Sequence, residues 1–356
     1  MKRVIFAWIA LAVLLAACKR EDPDPELSGP GKSKGVFIVC EGNYTYGNSS
    51  LAFYETEKKR VYNQLYYARN KVPLGDVAQS MALCGDQLFV VVNNSGKIVV
   101  VDQYSLLHKG VINDLPSPRA IHFVNERKAY VSDMITDRMT IFDPFTLAIK
   151  GTIGVAGTKA TGVGHTTESF VQVGDFVFVS CWVSGDLLLI IDSKTDQVVD
   201  SIKVPYQPNK MVVDGNGKIW VQTDGHYPGT HPDPDKPSLV RIDPHTRKVE
   251  KVFPFEIPGG WFSDIRLNPD RDSLYYLAGD LYKMAVSEES LPSVSFLPLQ
   301  GKYYYSLGVD PHTGEIYLGD PADYTQNGTI FRYSSGGTLV DSFRVGICPG
   351  DYLFRN

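Results

Sequence analysis

The sequence has 356 residues, of which 43% are hydrophobic and 21% are charged, and a formal net charge of −5. An acidic chain is a poor partner for nucleic acid, because phosphate contacts need clustered lysine and arginine. The five cysteines are too sparse for a disulfide scaffold, and their spacing does not match that of metal ligands.

The N-terminus has the three parts of a secretory signal. Lys2 and Arg3 are basic, residues 4–17 are apolar, and small residues precede Cys18. The apolar run is shorter than a membrane-spanning helix requires. Its end resembles the lipobox of bacterial lipoproteins, which implies cleavage after the signal and diacylation of Cys18. An ordinary signal with a chance cysteine is the alternative. Removing residues 1–17 takes away Lys2 and Arg3, so the net charge becomes −5 − 2 = −7.

Residues 18–34 are charged and rich in proline and glycine. Such a segment cannot build a core, so we expect an extended tether that carries the lipidated cysteine. The acidic residues just after Cys18 resemble the surface-export signal of Bacteroidetes lipoproteins, and a solvated spacer is the alternative. We therefore expect a lipid-anchored outer-membrane protein, exposed at the cell surface, with a folded domain at 35–356.

A short strand that ends in an acid recurs along the folded domain. Clear copies are Ile98–Asp102, Met139–Asp143, Leu188–Asp192 and Leu239–Asp243, and three weaker copies end in other residues. The spacings between the seven ends are 48, 41, 49, 51, 41 and 49 residues, which is typical of one four-stranded propeller blade per repeat. The pattern predicts an all-β fold, a single seven-bladed β-propeller, with an open β-array or sandwich as the alternative. The seven ends are Tyr54, Asp102, Asp143, Asp192, Asp243, Met284 and Tyr333.

The two ends of this domain complement each other. Residues 35–41, 51–55 and 60–67 predict three strands, and residues 351–355 predict one strand left over. We therefore expect the C-terminal strand to be the innermost strand of blade one, which closes the ring. This closure would bring Cys348 near Cys40, and it leaves open whether they form a disulfide or stay as free buried thiols.

The starts of the inner strands and the ends of the second strands should converge on one face of the ring, where loops on a rigid scaffold hold binding groups. These positions carry many aromatic, amide and carboxylate side chains and few cations. Such a surface suits a large polar ligand or a protein partner. The ligand-binding candidates are Glu41, Tyr44, Asn93, Arg119, Asp133, His165, Trp182, Asp224, His226, Tyr227, Trp261, Tyr304, Asp320 and Tyr324.

Evidence for catalysis in the sequence is thin. Residues 226–237 form a proline-rich insertion, and His226, His231, Asp233 and Asp235 within it have side chains that can ligate a metal. Proline on both sides of Asp233 makes chelation awkward, so we predict no metal site. No nucleophile elbow, phosphate loop or ordered Ser-His-Asp set is present. A channel ring like that of calcium-dependent propeller lactonases is the alternative; its candidates are Glu41, Asn93, Asp133, Asn209, Asp224 and Asp264.

The lipobox, the acidic tether, the seven YncE-like repeats and the opening Val39-Cys-Glu-Gly-Asn-Tyr-Thr-Tyr-Gly-Asn48 resemble the DUF5074-type surface-layer propeller lipoproteins of Bacteroidetes. Within this group the chain looks most like the BtuG-like cobalamin-capturing lipoproteins. The resemblance implies a non-enzymatic protein that needs no cofactor, binds cobalamin on its loop face and passes it to a TonB-dependent BtuB-type transporter. It implies that the macrocycle stacks on Trp182, Trp261, Tyr304 and Tyr324. A metal-dependent hydrolase and a surface-layer scaffold are the alternatives.

Overall fold

The computed structural model describes residues 29–155, 166–227, 229–255 and 262–356. Seven sheets, one per blade, follow one another along the chain. The strands of the first four blades are β1 (Gly35–Cys40), β2 (Ser50–Glu55), β3 (Arg60–Tyr62), β4 (Ala78–Cys84), β5 (Gln87–Val92), β6 (Lys97–Asp102), β7 (His108–Ile112), β8 (Pro118–Asn125), β9 (Lys128–Asp133), β10 (Arg138–Phe142), β11 (Ile149–Gly154), β12 (Phe170–Val173), β13 (Phe176–Ser180), β14 (Leu187–Asp192) and β15 (Gln197–Lys203).

The remaining strands complete blades five to seven and return to blade one. They are β16 (Pro208–Val213), β17 (Ile219–Thr223), β18 (Ser238–Asp243), β19 (Lys248–Pro254), β20 (Phe262–Leu267), β21 (Ser273–Ala278), β22 (Asp280–Ala285), β23 (Ser306–Val309), β24 (Ile316–Asp320), β25 (Asn327–Tyr333), β26 (Leu339–Ile347) and β27 (Pro349–Arg355). The predicted seven-bladed propeller is confirmed.

The ring closes as the two chain ends predict. β27 is the innermost strand of blade one and pairs antiparallel with β1, from Gly35 opposite Arg355 to Cys40 opposite Pro349. The backbone N–H of Glu41 continues the pairing by donating to the Cys348 carbonyl at 2.9 Å. Cys40 and Cys348 are both free thiols, and both are buried.

The recurrent acid at the end of the third strand caps the turn that follows it. Asp143 Oδ1 accepts hydrogen bonds from the backbone N–H groups of residues 145 and 146, and Asp102 and Asp243 do the same two and three residues on. A carboxylate that satisfies turn donors in this way is a local device, because its partners are its own sequence neighbours. The repeat is therefore visible in the sequence as a single residue type.

The predicted third strand at residues 60–67 is too long. β3 ends at Tyr62, and residues Leu65–Asn70 form the six-residue helix α1. The strand stops because Gln64 has a left-handed backbone (φ 51°). The helix then buries Leu65 and Tyr66 in the core between blades one and two, so packing overrides the strand-like composition.

Blade six has three strands in the described part of the chain, not the predicted four. At the position of the fourth strand, Leu297 makes an isolated bridge to Leu281. The next residue, Pro298, has no N–H to donate, so a ladder cannot continue through it.

Neighbouring blades are joined by hydroxyl groups near the channel. Ser132 Oγ donates to the carbonyl of Glu168 at 2.7 Å, and Ser180 Oγ donates to the carbonyl of Asn209 at 2.8 Å. Ser306 Oγ donates to the Pro349 carbonyl at 2.6 Å and so links blade seven to the closing strand. Each bond crosses from one blade to the inner strand of the next, and fixes the spacing of the inner strands around the channel.

Arg355 secures the end of the closing strand. Its guanidinium lies 4.4 Å from the centre of the Phe53 ring and donates to the carbonyls of Ser33 and Gln103. The side chain is 6% exposed, so these bonds form in a largely desolvated site where a charged donor matters most.

We expect Arg355→Met to lower the free energy of unfolding by about 2–3 kcal/mol, since it removes charge-assisted hydrogen bonds and leaves two carbonyl groups unpaired. Urea unfolding followed by circular dichroism measures this. The control is Arg138→Met, which changes an exposed side chain and should shift stability by about 0.5 kcal/mol or less. Equal losses in the two variants would contradict the role given to Arg355.

Candidate functional site

The two ends of the propeller channel differ in what they carry. The loop face is the end where inner strands begin and second strands finish, and it includes Glu41, Arg119, Trp182, Asp224 and Tyr324. The opposite face is the end where inner strands finish and third strands turn, and it includes Gln103, Phe145 and Arg355. The loop face carries two sets of contacting side chains, which together are called the channel-mouth cluster. One set is Gln79, Arg119, Glu168, Trp182 and Asp224, and the other is Glu41 with Tyr305.

Arg119 is the centre of this cluster. Its Nε and Nη2 donate to the two carboxylate oxygens of Glu168 at 2.7 and 2.9 Å, and its Nη1 donates to Gln79 Oε1 at 2.6 Å. The fork-to-fork geometry fixes both side chains. The guanidinium also lies 5.4 Å from the centre of the Trp182 ring, so blades two, three and four are joined by one cation.

Trp182 is tied to blade five on its other side. Its indole N–H donates to Asp224 Oδ2 at 2.7 Å, and Gln222 donates to Asp224 Oδ1 at 3.1 Å. Burial raises the pKa of Asp224 to about 6, against the lowering effect of these donors. Beside this carboxyl, the fully buried Oδ1 of Asn209 has no hydrogen-bond partner among the described residues. This side of the mouth therefore offers acceptors.

Glu41 occupies the far side of the mouth. Tyr305 donates its phenol O–H to Glu41 Oε1 at 2.9 Å. Burial raises the pKa of Glu41 to about 7, although Tyr305, Arg119 and Lys210 all lower it. Burial also raises the pKa of the neighbouring Cys348 thiol, with a further contribution from Glu41. Near neutral pH the mouth thus holds two carboxyl groups that are close to their titration points.

Tyrosines surround the mouth on the rim. Tyr324 packs edge-on against Tyr305, with ring centres 5.8 Å apart, and its ring lies 6.1 Å from that of Tyr303. Its backbone carbonyl accepts a hydrogen bond from the Asn43 side chain, which joins the rims of blades seven and one. Tyr44 and Tyr46 follow on the same loop, 70% and 76% exposed. The rim is rich in aromatic surface that is left exposed by the rest of the described residues.

Four predicted site residues have structural partners instead. Asn93 donates to Ser117 and Pro118, and the Asp133 carboxylate accepts three backbone N–H groups. Asp320 caps the turn at Ala322. Tyr304 is 5% exposed, and its phenol lies 2.9 Å from that of Tyr333 in the core between blades six and seven. The face-lining tyrosine is the next one, Tyr305.

The insertion in blade five folds back on itself. The His226 ring stacks on Tyr206 at 4.0 Å and on His231 at 4.4 Å, and its Nδ1 accepts the backbone N–H of Asp235 at 3.0 Å. Tyr227 beside it is 73% exposed. Within the described ranges no three His, Cys, Asp or Glu side chains are grouped as a metal ion needs. Two of the predicted candidates, His165 and Trp261, lie outside the described residues.

The lactonase-like ring is not assembled as a set of free ligands. The Asn93 amide donates to Ser117 and Pro118, and the Asp133 carboxylate accepts the three backbone N–H groups described above. Asp264 pairs with Arg266 at 2.5 Å and accepts the N–H of Leu307 at 3.2 Å. The carboxylates of Asp133 and Asp264 are therefore already coordinated by protein donors.

Sequence reasoning missed Gln79, Tyr305 and Lys210 as residues of the channel. All three lie on or just before inner strands, where side chains alternate between two sides. The inner strand of blade seven begins at Ser306, and Tyr304 and Tyr305 just before it are adjacent residues whose side chains lie on opposite sides of the chain. Assigning the channel position to Tyr304 was an error of one residue, which is enough to exchange a core side chain for a channel side chain.

The raised pKa of Glu41 predicts how the free energy of unfolding changes with pH. Because the folded pKa lies above the ordinary value of 4.5, the protonated form favours folding, and this contribution is lost as the pH rises from about 4.5 towards 7. We expect the wild type to lose about 1–2 kcal/mol more than Glu41→Gln between pH 5 and pH 8, a value reduced from 1.36 kcal/mol per pKa unit for solvent screening.

Urea unfolding at both pH values measures this difference. Glu57→Gln, which removes an exposed acid, is the control for the loss of one charge. Parallel pH dependence of the wild type and Glu41→Gln would contradict the role assigned to burial of Glu41.

Comparison with solved structures shows a shared fold. A quinoprotein alcohol dehydrogenase-like protein from Bacteroides thetaiotaomicron has a TM-score of 0.70 at 17% identity, covering 92% of this chain and 80% of that one. A candidate 6-phosphogluconolactonase from Bacteroides fragilis has a TM-score of 0.65 at 14% identity, covering 91% and 98%. A second, from Bacteroides uniformis, has a TM-score of 0.64 at 15% identity, covering 90% and 99%. At these identities the likeness shows the propeller alone.

No curated protein matches the sequence. No helix in the described part of the chain is long and apolar enough to cross a membrane. The profile described as "Domain of unknown function (DUF5074)" matches residues 34–346, which is most of the chain, and the protein therefore belongs to the DUF5074 family.

Proposed function

We propose that this protein is a cell-surface lipoprotein that binds a cobalamin-type corrinoid on its loop face and delivers it to a TonB-dependent outer-membrane transporter. The observation that carries the proposal is the arrangement of the loop face, in which a mouth rich in acceptors is surrounded by exposed aromatic rings. A corrinoid has the complementary chemistry: a broad, flat macrocycle with primary amides around its edge.

The hydrogen-bond acceptors of the mouth are complementary to the peripheral amides of a corrinoid. The carboxyls of Glu41 and Asp224 are acceptors, and primary amides supply N–H donors that pair with them. Amide donors do this without adding charge to the mouth, where Arg119 is already paired with Glu168.

The aromatic side chains of the rim are complementary to the flat macrocycle of a corrinoid. Tyr303, Tyr324 and Trp182 stand around the mouth, and the more distant Tyr44 and Tyr227 are exposed. Aromatic rings supply large contact areas with few rotatable bonds, and they are the usual anchors of binding sites. Two of the four predicted stacking residues change: Tyr305 takes the place of the buried Tyr304, and Trp261 lies outside the described residues.

The surface location rests on the N-terminal sequence, where the signal and Cys18 indicate lipidation. Capture at the surface needs a route inward for a ligand too large to diffuse through the outer membrane, and a TonB-dependent transporter is such a route. The alternative of a calcium-dependent lactonase has less support, because the carboxylates of Asp133 and Asp264 accept from protein donors and the Asn93 amide is hydrogen-bonded to Ser117.

We expect Trp182→Ala to weaken cyanocobalamin binding at least about thirtyfold, equivalent to about 2 kcal/mol, because a central aromatic anchor is lost. Isothermal titration calorimetry measures the dissociation constant. Phe145→Ala is the matched control, since it removes an aromatic ring that is 72% exposed on the opposite face. No binding by the wild type, or equal affinity of both variants, would refute the proposal.

A second test uses the charge of the mouth. Hydrolysing one peripheral amide of cobalamin to a carboxylate replaces a donor by an anion, and at pH 8 this anion faces the ionised Glu41 and Asp224. We expect such monocarboxylic acids to bind roughly tenfold more weakly than cobalamin at pH 8, about 1.4 kcal/mol, and the difference to shrink at pH 5, below the raised pKa values of both groups.

Asp224→Asn should reduce the same difference at pH 8, because it removes one of the two charges. The comparison needs only the ratio of two affinities for each protein, so a general weakening of binding cancels. Equal affinity for the amide and the acid at pH 8 in the wild type would show that the ligand periphery does not meet these carboxyls.

A further inference from the structure

We infer that the lipidated end leaves the propeller on the face opposite to the corrinoid site, and that tether length therefore controls delivery to the transporter but not capture of the ligand. This inference rests on the proposed function and adds a geometric requirement to it.

The N-terminal residues before β1 are docked on the opposite face. The Ser33 carbonyl accepts from Arg355 at the end of the innermost strand, and the Lys34 carbonyl accepts from the N–H of Thr56 at the end of β2, at 3.3 Å. The Lys32 ammonium lies 5.5 Å from the centre of the Tyr104 ring, in the turn after β6. All of these contacts lie where inner strands end and third strands turn.

The site is at the other end of β1. This strand runs from Gly35 to Cys40, and Glu41, the next residue, belongs to the channel-mouth cluster. Six residues of strand span about 20 Å. The loop face is therefore separated from the point where the tether leaves by at least the height of the blade wall, before the loops that follow the strand.

Delivery of the ligand requires the loop face to contact a transporter in the same membrane. The lipid on Cys18 fixes one end of the tether at the membrane, and the described residues begin at Gly29, 11 residues later. Eleven residues reach at most about 36–40 Å. This reach exceeds the height of the blade wall. The propeller can therefore turn its loop face to the membrane while the tether passes along its side.

A shorter tether does not allow the loop face to turn towards the membrane. Deleting residues 23–28 leaves Lys19–Asp22, the charged residues beside the lipidated cysteine, and reduces the separation of Cys18 and Gly29 to five residues, which reach about 17–18 Å. This is less than the six steps from Gly35 to Glu41, which span about 20 Å. The loop face of the shortened protein would be held away from its own membrane, with its ligand site intact.

The experiment compares three full-length proteins in cells that lack the native copy: the wild type, the 23–28 deletion, and a variant in which residues 23–28 are replaced by six Gly and Ser residues. The third keeps the length and changes the composition. Surface antibody labelling checks display, titration of the purified proteins checks cyanocobalamin binding, and uptake of radiolabelled cyanocobalamin measures delivery.

We expect equal display and equal affinity for all three proteins, with uptake at least about tenfold lower for the deletion and near wild type for the Gly/Ser variant. Uptake by the deletion within twofold of the wild type would overturn the inference, as would an equal loss in the Gly/Ser variant. Failure of the proposed function looks different, because the wild type itself would then bind no cyanocobalamin and support no uptake.

Discussion

The whole structure depends on the middle strands of each blade burying two faces at once. Side chains alternate along β5, so that Leu88 and Val90 pack against blade one while Phe89 and Val91 pack against blade three. The same division repeats around the ring, and the seven apolar clusters of the described chain each lie between two neighbouring blades. No blade has a core of its own. An open ring would leave two apolar faces in water, so the pairing of β1 with β27 stabilises every blade and not only blade one.

The fold was predictable because its signals are local. An acid that caps the turn after the third strand needs only its next few residues, and its recurrence with blade-like spacing gives the number of blades. The closure followed from counting strands at the two ends. The exceptions are places where a distant contact decides: α1 is held by the core between two blades, and the fourth strand of blade six fails beside Pro298.

The site was predictable only in outline. Topology places the right segments on the loop face, and Glu41, Arg119, Trp182, Asp224 and Tyr324 do meet there. Which side chain of a segment faces the mouth depends on where a strand begins, and a shift of one residue exchanges a core tyrosine for a channel tyrosine. Whether a polar side chain is available depends on backbone groups brought from another strand or blade: the N–H of Ser117 before β8 occupies Asp133 at the end of β9, and the Pro118 carbonyl of blade three accepts from Asn93 of blade two. Neither fact is encoded in the residue types alone.

The position of β1 has a mechanical consequence. A protein held by its N-terminus is pulled at Gly35, along the axis of a strand that has β27 on one side and β2 on the other. Force in this direction loads the hydrogen bonds of both ladders together, in shear, and does not open them one at a time. The Ser33–Arg355 contact must also break before the load reaches the strand. β1, with which the closing strand β27 pairs, is therefore also the strand best placed to withstand tension between the N-terminus and the loop face.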